Sequence, residues 1–169
     1  MATPHIPPEM VLVTDPKGEK FLRRKTVPFD FTHFSPKEIR DLLSDMRRIM
    51  REANGIGLSA NQIGLGFRMF VAEVPDAQGG LKFYAIFNPE LERMSKDTVV
   101  TEEGCLSVPG AFGDVPRSRM VTLKGLDKNG RPVKIKAWGL LARVFQHECD
   151  HLDGKLFLDR AKNVYQDKA

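Results

Sequence analysis

The stretch Gln146–His151, QHECDH, sets two of the chain's four histidines four residues apart, with a glutamate beside the first. On a helix, positions four apart differ by about 40° and lie one turn apart, so His147 and His151 share a face. Both imidazoles can then reach one cation. Glu148 can bear on a metal-held water without being a ligand itself. Two ligands leave the coordination incomplete. Downstream of His151 the chain offers no histidine or glutamate, only Asp153, Asp159 and Asp167, an unusual choice. His5 and His33 fall in an irregular stretch and read as surface residues. Cys149 lies two residues from either histidine, about 200° around the helix, and reads as a small core thiol facing away from them. Cys105 remains, in EEGCLSVPG, where Gly104 before it and Pro109–Gly110 after it suggest a bent segment that presents a thiolate. A Cys–His–His set leaves a fourth position open, which marks a catalytic rather than a structural site. Its mixed donors tolerate Fe(II) as well as Zn(II).

Several elements must hold these groups. Ser35 is a good N-cap, Pro36 fits the first helical position and Glu38 completes a capping box. From there Ile39, Leu42, Leu43, Met46, Ile49, Met50 and Ala53 repeat at three and four, forming one buried stripe. Gly55 stands where a helix-ending glycine belongs. Short β-type segments follow at Met69–Val74, Phe83–Phe87, Val99–Thr101 and Met120–Leu126. DKNGR, Asp127–Arg131, signals a hairpin turn into a partner strand at Val133–Trp138. After Gly139 a final helix, LLARVFQHECDHL, ends at Gly154. Residues 1–34 read as an irregular arm with one apolar run, Met10–Val13, and a turn at DPKGE; residues 161–169 read as a short tail. The expected class is α+β, in one domain spanning 1–169. Antiparallel strands would pack around a central helix bearing the H-E-x-x-H motif, with an additional N-terminal amphipathic helix.

Composition narrows the setting. With 169 residues, 41% apolar and 28% charged, the chain resembles ordinary soluble proteins. No apolar run approaches the roughly 18 residues of a membrane span. MATPHIPPEM has neither an apolar core nor a cationic lead, so no secretory signal is expected. Two cysteines build no disulfide framework, and a cytoplasmic chain with reduced thiols is expected. The net charge of +4 is spread along the sequence without a nucleic-acid motif and reads as a solvated surface.

Three stretches together resemble the peptide deformylase family: GIGLSANQIG (Gly55–Gly64), EGCLS (Glu103–Ser107) and QHECDH (Gln146–His151). They follow that family's order and separations, and NPE (Asn88–Glu90) and GLLARVFQHE fit between them. The resemblance runs from about Pro28 to Arg160. Ser59–Ala60 replace the two alanines usual in the first motif, and Asn61 stands where proline is frequent.

The resemblance implies a hydrolase that removes the N-formyl group from the formyl-methionine of newly made polypeptides and releases formate. It implies one divalent ion per chain, held by Cys105, His147 and His151. Fe(II) is the expected ion in the cell, with Zn(II), Ni(II) or Co(II) in preparations. The metal-held water would be the nucleophile, and Glu148 the general base and then acid. The Gln62 amide and the Leu106 backbone N–H would donate to the oxyanion. Gly55 and Gly57 let the backbone pass close to the site. Ile56, Leu140 and Val144 are candidate walls of a methionine pocket, and Glu103 and Gly104 would border the substrate. An ion pair between Glu103 and Arg117 would support the cysteine segment. The expected partner is an N-formyl-methionyl peptide or nascent chain, with room for a transient ribosome contact. Neither a membrane nor a specific nucleic acid is expected, and the setting is a bacterial-type cytoplasm with no organelle-targeting segment seen. Two rivals share the features: a metal-dependent endopeptidase using the same glutamate, and a non-enzymatic basic domain with a structural metal that binds RNA or ribosomes.

Overall fold

The computed structural model describes residues 10–166. Its first long helix, α2 (Pro36–Glu52), begins as its sequence dictates. Ser35 Oγ accepts from Glu38 N at 3.2 Å, and Glu38 Oε2 accepts from Ser35 N at 2.7 Å. The helix buries Ile39, Leu42, Leu43, Met46, Ile49 and Met50. Past its last residue and the cap Ala53, Asn54 with a φ of 56° takes the left-handed position expected of Gly55. Asparagine tolerates that conformation, which frees Gly55 for a different task described below.

The architecture is mixed α+β. One sheet runs β1 (Val27–Pro28), β3 (Phe67–Pro75), β4 (Leu81–Met94), β7 (Met120–Leu126), β8 (Pro132–Trp138), with β2 (Gly57–Ser59) also on β3. A second joins β5 (Thr98–Cys105), β6 (Val108–Ser118) and β9 (Lys162–Gln166). Every pairing is antiparallel except β1 with β3. α3 (Gly139–Leu152) touches strands of both sheets. It buries Ala142, Val144, Phe145, Cys149 and Leu152 against Phe70, Ala72, Val121 and Leu123.

Several elements depart from the sequence expectations. The arm holds a helix, α1 (Pro16–Leu22), because Asp15 caps it by accepting from Lys17 N and Gly18 N. DPKGE is thus a helix start and not a turn. Phe29 and Phe31 from the same arm enter an aromatic cluster with Phe34, Phe67 and Phe87. Asn88 clamps Phe29 there through both main-chain groups, at 2.7 and 3.0 Å. β6 is long, although its inward row of Ala111, Gly113, Val115 and Arg117 hides any hydrophobic alternation. The expected tail contributes β9, whose residues are exposed and so carry no apolar pattern. His33 is exposed, whereas His5 and Asp167 lie outside the described residues. Among the described residues no helix is long and apolar enough to cross a membrane.

Candidate metal centre and its cleft

β5 ends at Cys105, where the β5–β6 register shifts between Gly104 and Cys105 and turns the thiol out of the ladder. α3 brings up His147 and His151 from one face. Cys105 Sγ lies 3.2 Å from His151 Nε2, which lies 3.2 Å from His147 Nε2. Ligand atoms of all three residues fall within 4.8 Å of one another. The other nitrogen of His147, Nδ1, meets Glu103 Oε2 at 2.9 Å. Among the described residues the buried Nδ1 of His151 has no partner. A thiol and two imidazole Nε2 atoms converging on one point, one ring oriented by a carboxylate, form a donor set that fits a divalent cation with an open position.

The electrostatics favour a Cys105 thiolate beside a charged His147, whose Nε2 proton a bound cation would displace. Burial alone would raise the Cys105 thiol, but His151 and His147 outweigh it and hold it at about 6. Burial works against a charged His147, yet Cys105 and Glu103 raise it well above the usual histidine value. Burial likewise opposes the Glu103 carboxylate, and the bonds from Arg117 and His147 bring it down to about 2.

Beneath the cluster runs a line of ion pairs. Arg117 is 3% exposed and donates to Glu103 at 2.8 and 2.9 Å and to Asp150 at 2.6 Å. Asp150 accepts two further bonds from Arg160, at 2.7 and 3.0 Å. Sequence reasoning anticipated the Glu103–Arg117 pair but missed Asp150 and Arg160. Nothing in their spacing announces a contact made through the interior.

Glu148 points the other way, to β2. Its Oε2 accepts from Ser59 Oγ at 2.6 Å. A Cβ on Gly57 would overlap its carboxylate, and a Cβ on Gly55 would come within 2.6 Å of Leu106 Cδ1. At both positions a side chain would displace Leu106 or Glu148 from where it now lies, and neither glycine has a positive φ. Gln62 is held at both ends of its amide: Oε1 accepts from Ser59 N at 2.9 Å, and Nε2 donates to Ser107 Oγ at 3.1 Å. That places Nε2 3.7 Å from Cys105 Sγ. Asn61 Nδ2 caps the carbonyl of His151 at 2.7 Å.

A cleft of about 570 Å³ opens over this assembly. Gly55, Ile56, Gly57, Gln62, Glu103, Gly104, Cys105, Leu106, Val144, His147 and Glu148 all border it. His151 is buried behind them. Leu140 does not reach the cleft. It sits in the first turn of α3, one turn before Val144, and packs on the apolar core instead. Glu102, Phe112 and Arg143 line the cleft without having been singled out in the sequence. Cys149 lies in the apolar core, where burial pushes its thiol up to about 12.

The profile of the polypeptide deformylase family matches residues 10–167 of the sequence. A peptide deformylase from Thermomicrobium roseum is 43% identical over 152 residues, 87% of this chain and 84% of that protein. The crystal structure of peptide deformylase from Thermotoga maritima aligns with a TM-score of 0.79 at 33% identity, covering 94% of this chain and 99% of the other. A class I type b peptide deformylase from Acinetobacter baumannii, solved with Met-Ala-Ser bound, aligns with a TM-score of 0.81 at 30% identity, over 90% of this chain and 96% of the other.

Proposed function

The chain belongs to the polypeptide deformylase family and carries its enzyme activity, and from that premise we propose how its own residues remove the formyl group from a formyl-methionyl peptide. The observation that carries the reading is the convergence of Cys105, His147 and His151 at a cleft that Glu148 and Gln62 also border.

In this reading Cys105, His147 and His151 hold one divalent ion, Fe(II) in the cell. Such an ion supplies Lewis acidity toward water and the formyl oxygen. Glu103 accepts from His147 Nδ1–H, which fixes the tautomer and leaves Nε2 for ligation. Arg117 keeps Glu103 ionised for that task. Glu148 takes a proton from the attacking water as the water oxygen bonds to the formyl carbon. It then gives that proton to the amine nitrogen as the C–N bond breaks, so formate and a free N-terminus leave. Gln62 Nε2 and the Leu106 N–H donate to the oxygen that gains charge. Ile56, Val144 and Leu106 offer an apolar wall to the methionine side chain. The Met-Ala-Ser bound by the Acinetobacter protein supports a peptide in the equivalent cleft here. Residues 1–169 act as one catalytic domain in a bacterial-type cytoplasm, on formyl-methionyl peptides or nascent chains.

The test is formate release from a formyl-Met tripeptide by anaerobically prepared, iron-loaded protein. Release by the parent and its loss in Glu148→Ala with metal retained are the expected results. Internal peptide cleavage without formate would favour the endopeptidase reading instead.

A further inference from the structure

We propose that the Ser59 hydroxyl is a positioning group for Glu148, an inference that rests on Glu148 being the proton carrier. β2 is extended, so Gly57 and Ser59 face the same side, and Glu148 lies against that side. The two positions do opposite things to one carboxylate. Gly57 makes room for it, since any Cβ there would overlap it. Ser59, fully buried, grips it, with Oγ 2.6 Å from Oε2.

Oγ also lies 3.2 Å from the Glu148 carbonyl oxygen. A serine hydroxyl has one proton, and the shorter contact, to the carboxylate oxygen, takes it. Oε1, on the Gly57 side, is then the oxygen left for the proton of the reaction. A glutamate side chain turns about three bonds, so one buried donor removes much of its freedom to swing out of line.

The backbone N–H of Ser59 separately donates to Gln62 Oε1 at 2.9 Å. One residue thus secures two working groups by two different atoms. Truncation to alanine cuts the link to Glu148 and leaves the link to Gln62, which makes the hydroxyl's role measurable by itself.

The experiment compares the metal-loaded full chain with Ser59→Ala, Ser59→Thr and Glu148→Ala, reading kcat, KM, metal content and thermal midpoint. Ser59→Ala is expected to lower kcat about tenfold, with KM and metal content unchanged. Ser59→Thr keeps the hydroxyl and is expected to restore kcat to within about threefold of the parent. Parent-like kcat in Ser59→Ala overturns the proposal, as does a loss of metal in that variant. An equal kcat loss in a folded Ser59→Thr also overturns it; should threonine prevent folding, Ser59→Ala decides alone. Activity surviving in Glu148→Ala would remove the proton-carrier assignment and this inference with it. A dead Glu148→Ala beside a parent-like Ser59→Ala would remove only the role given to Ser59.

Discussion

Arg117 and Glu73 are each gripped from two sides by groups of opposite charge, yet they sit in different media. Arg117 lies beneath the Cys105–His147–His151 cluster with its side chain 2% exposed, against Glu103 at 5% and Asp150 at 10%. Glu73 is similarly enclosed, but its partners Arg47 and Arg51, from α2, are 39% and 54% exposed. Those arginines border a separate cleft of about 750 Å³ with Arg40, Phe83 and Lys128. In the first cluster Arg117, Glu103 and Asp150 have all left water and depend on one another to offset that cost, and only Arg160 at the end of the line meets solvent. In the second, water stands ready to replace either arginine. The same drawing of charges therefore holds the proposed metal centre in shape at one place and merely fastens a helix to a strand at the other.

Removing the hub is the strongest way to break this contrast. Arg117→Met leaves buried Glu103 with only His147 and Asp150 with only the half-exposed Arg160, which should cost about 3–5 kcal/mol in urea unfolding. The variant should also retain less metal, because Glu103 no longer holds His147 firmly. Arg51→Met should cost a small fraction of that, since solvent takes its place. Equal losses in the two variants would erase the distinction.

Acid should sharpen it next. Glu103 is held at about 2 in the folded protein, below its ordinary value of 4.5. A carboxylate whose folded pKa is depressed stabilises the fold fully above the unfolded value, and that contribution is lost as pH falls toward the folded one. Between about pH 4.5 and 2 the parent should therefore lose on the order of 3 kcal/mol that Glu103→Gln does not lose, read from unfolding curves at a series of pH values. A matching acid profile in the two proteins would refute the assignment. Glu73 is also lowered, chiefly by its bond from Arg51 against the opposing effect of burial, so its contribution fades with the same sign.

The smallest effect is expected at Glu73 itself. Glu73→Gln should shift the thermal midpoint slightly, and the shift should shrink in high salt, which screens exposed arginines. Its main-chain N–H still donates to Ile56 O, at 2.9 Å, so the cleft wall stays in place and kcat should not change. A large loss of activity in Glu73→Gln would show that the two clusters are coupled.

The sequence announced whatever repeats or caps itself. α2 was legible from Ser35, Glu38 and its apolar stripe, and the β7–β8 hairpin from Asn129–Gly130. The incomplete two-histidine pattern pointed toward Cys105, and the structure brings those three residues together. What stayed hidden depends on neighbours remote in sequence. β6 places Gly113 and Arg117 where a strand detector wants apolar residues, because one makes room for Ala161 and the other serves the ion line. α1 buries only Gly18 and Leu22, too few to show a stripe. Leu140 has the right chemistry for a pocket wall and the wrong turn of the helix. Ser59 looked like a minor variation in a motif, and only the path of Glu148 reveals what its oxygen touches.

The bond from Arg160 to Asp150 also carries a consequence for the order in which the protein is made. Synthesis runs from the N-terminus, so Cys105, His147 and His151 all emerge before Arg160 exists. A growing chain thus possesses every proposed ligand before it possesses the arginine that steadies Asp150 and, through Arg117 and Glu103, the imidazole of His147. The parts of the proposed centre come first and its brace comes later, so premature termination between Leu152 and Arg160 would yield a chain with Cys105, His147 and His151 all present and a loosened site.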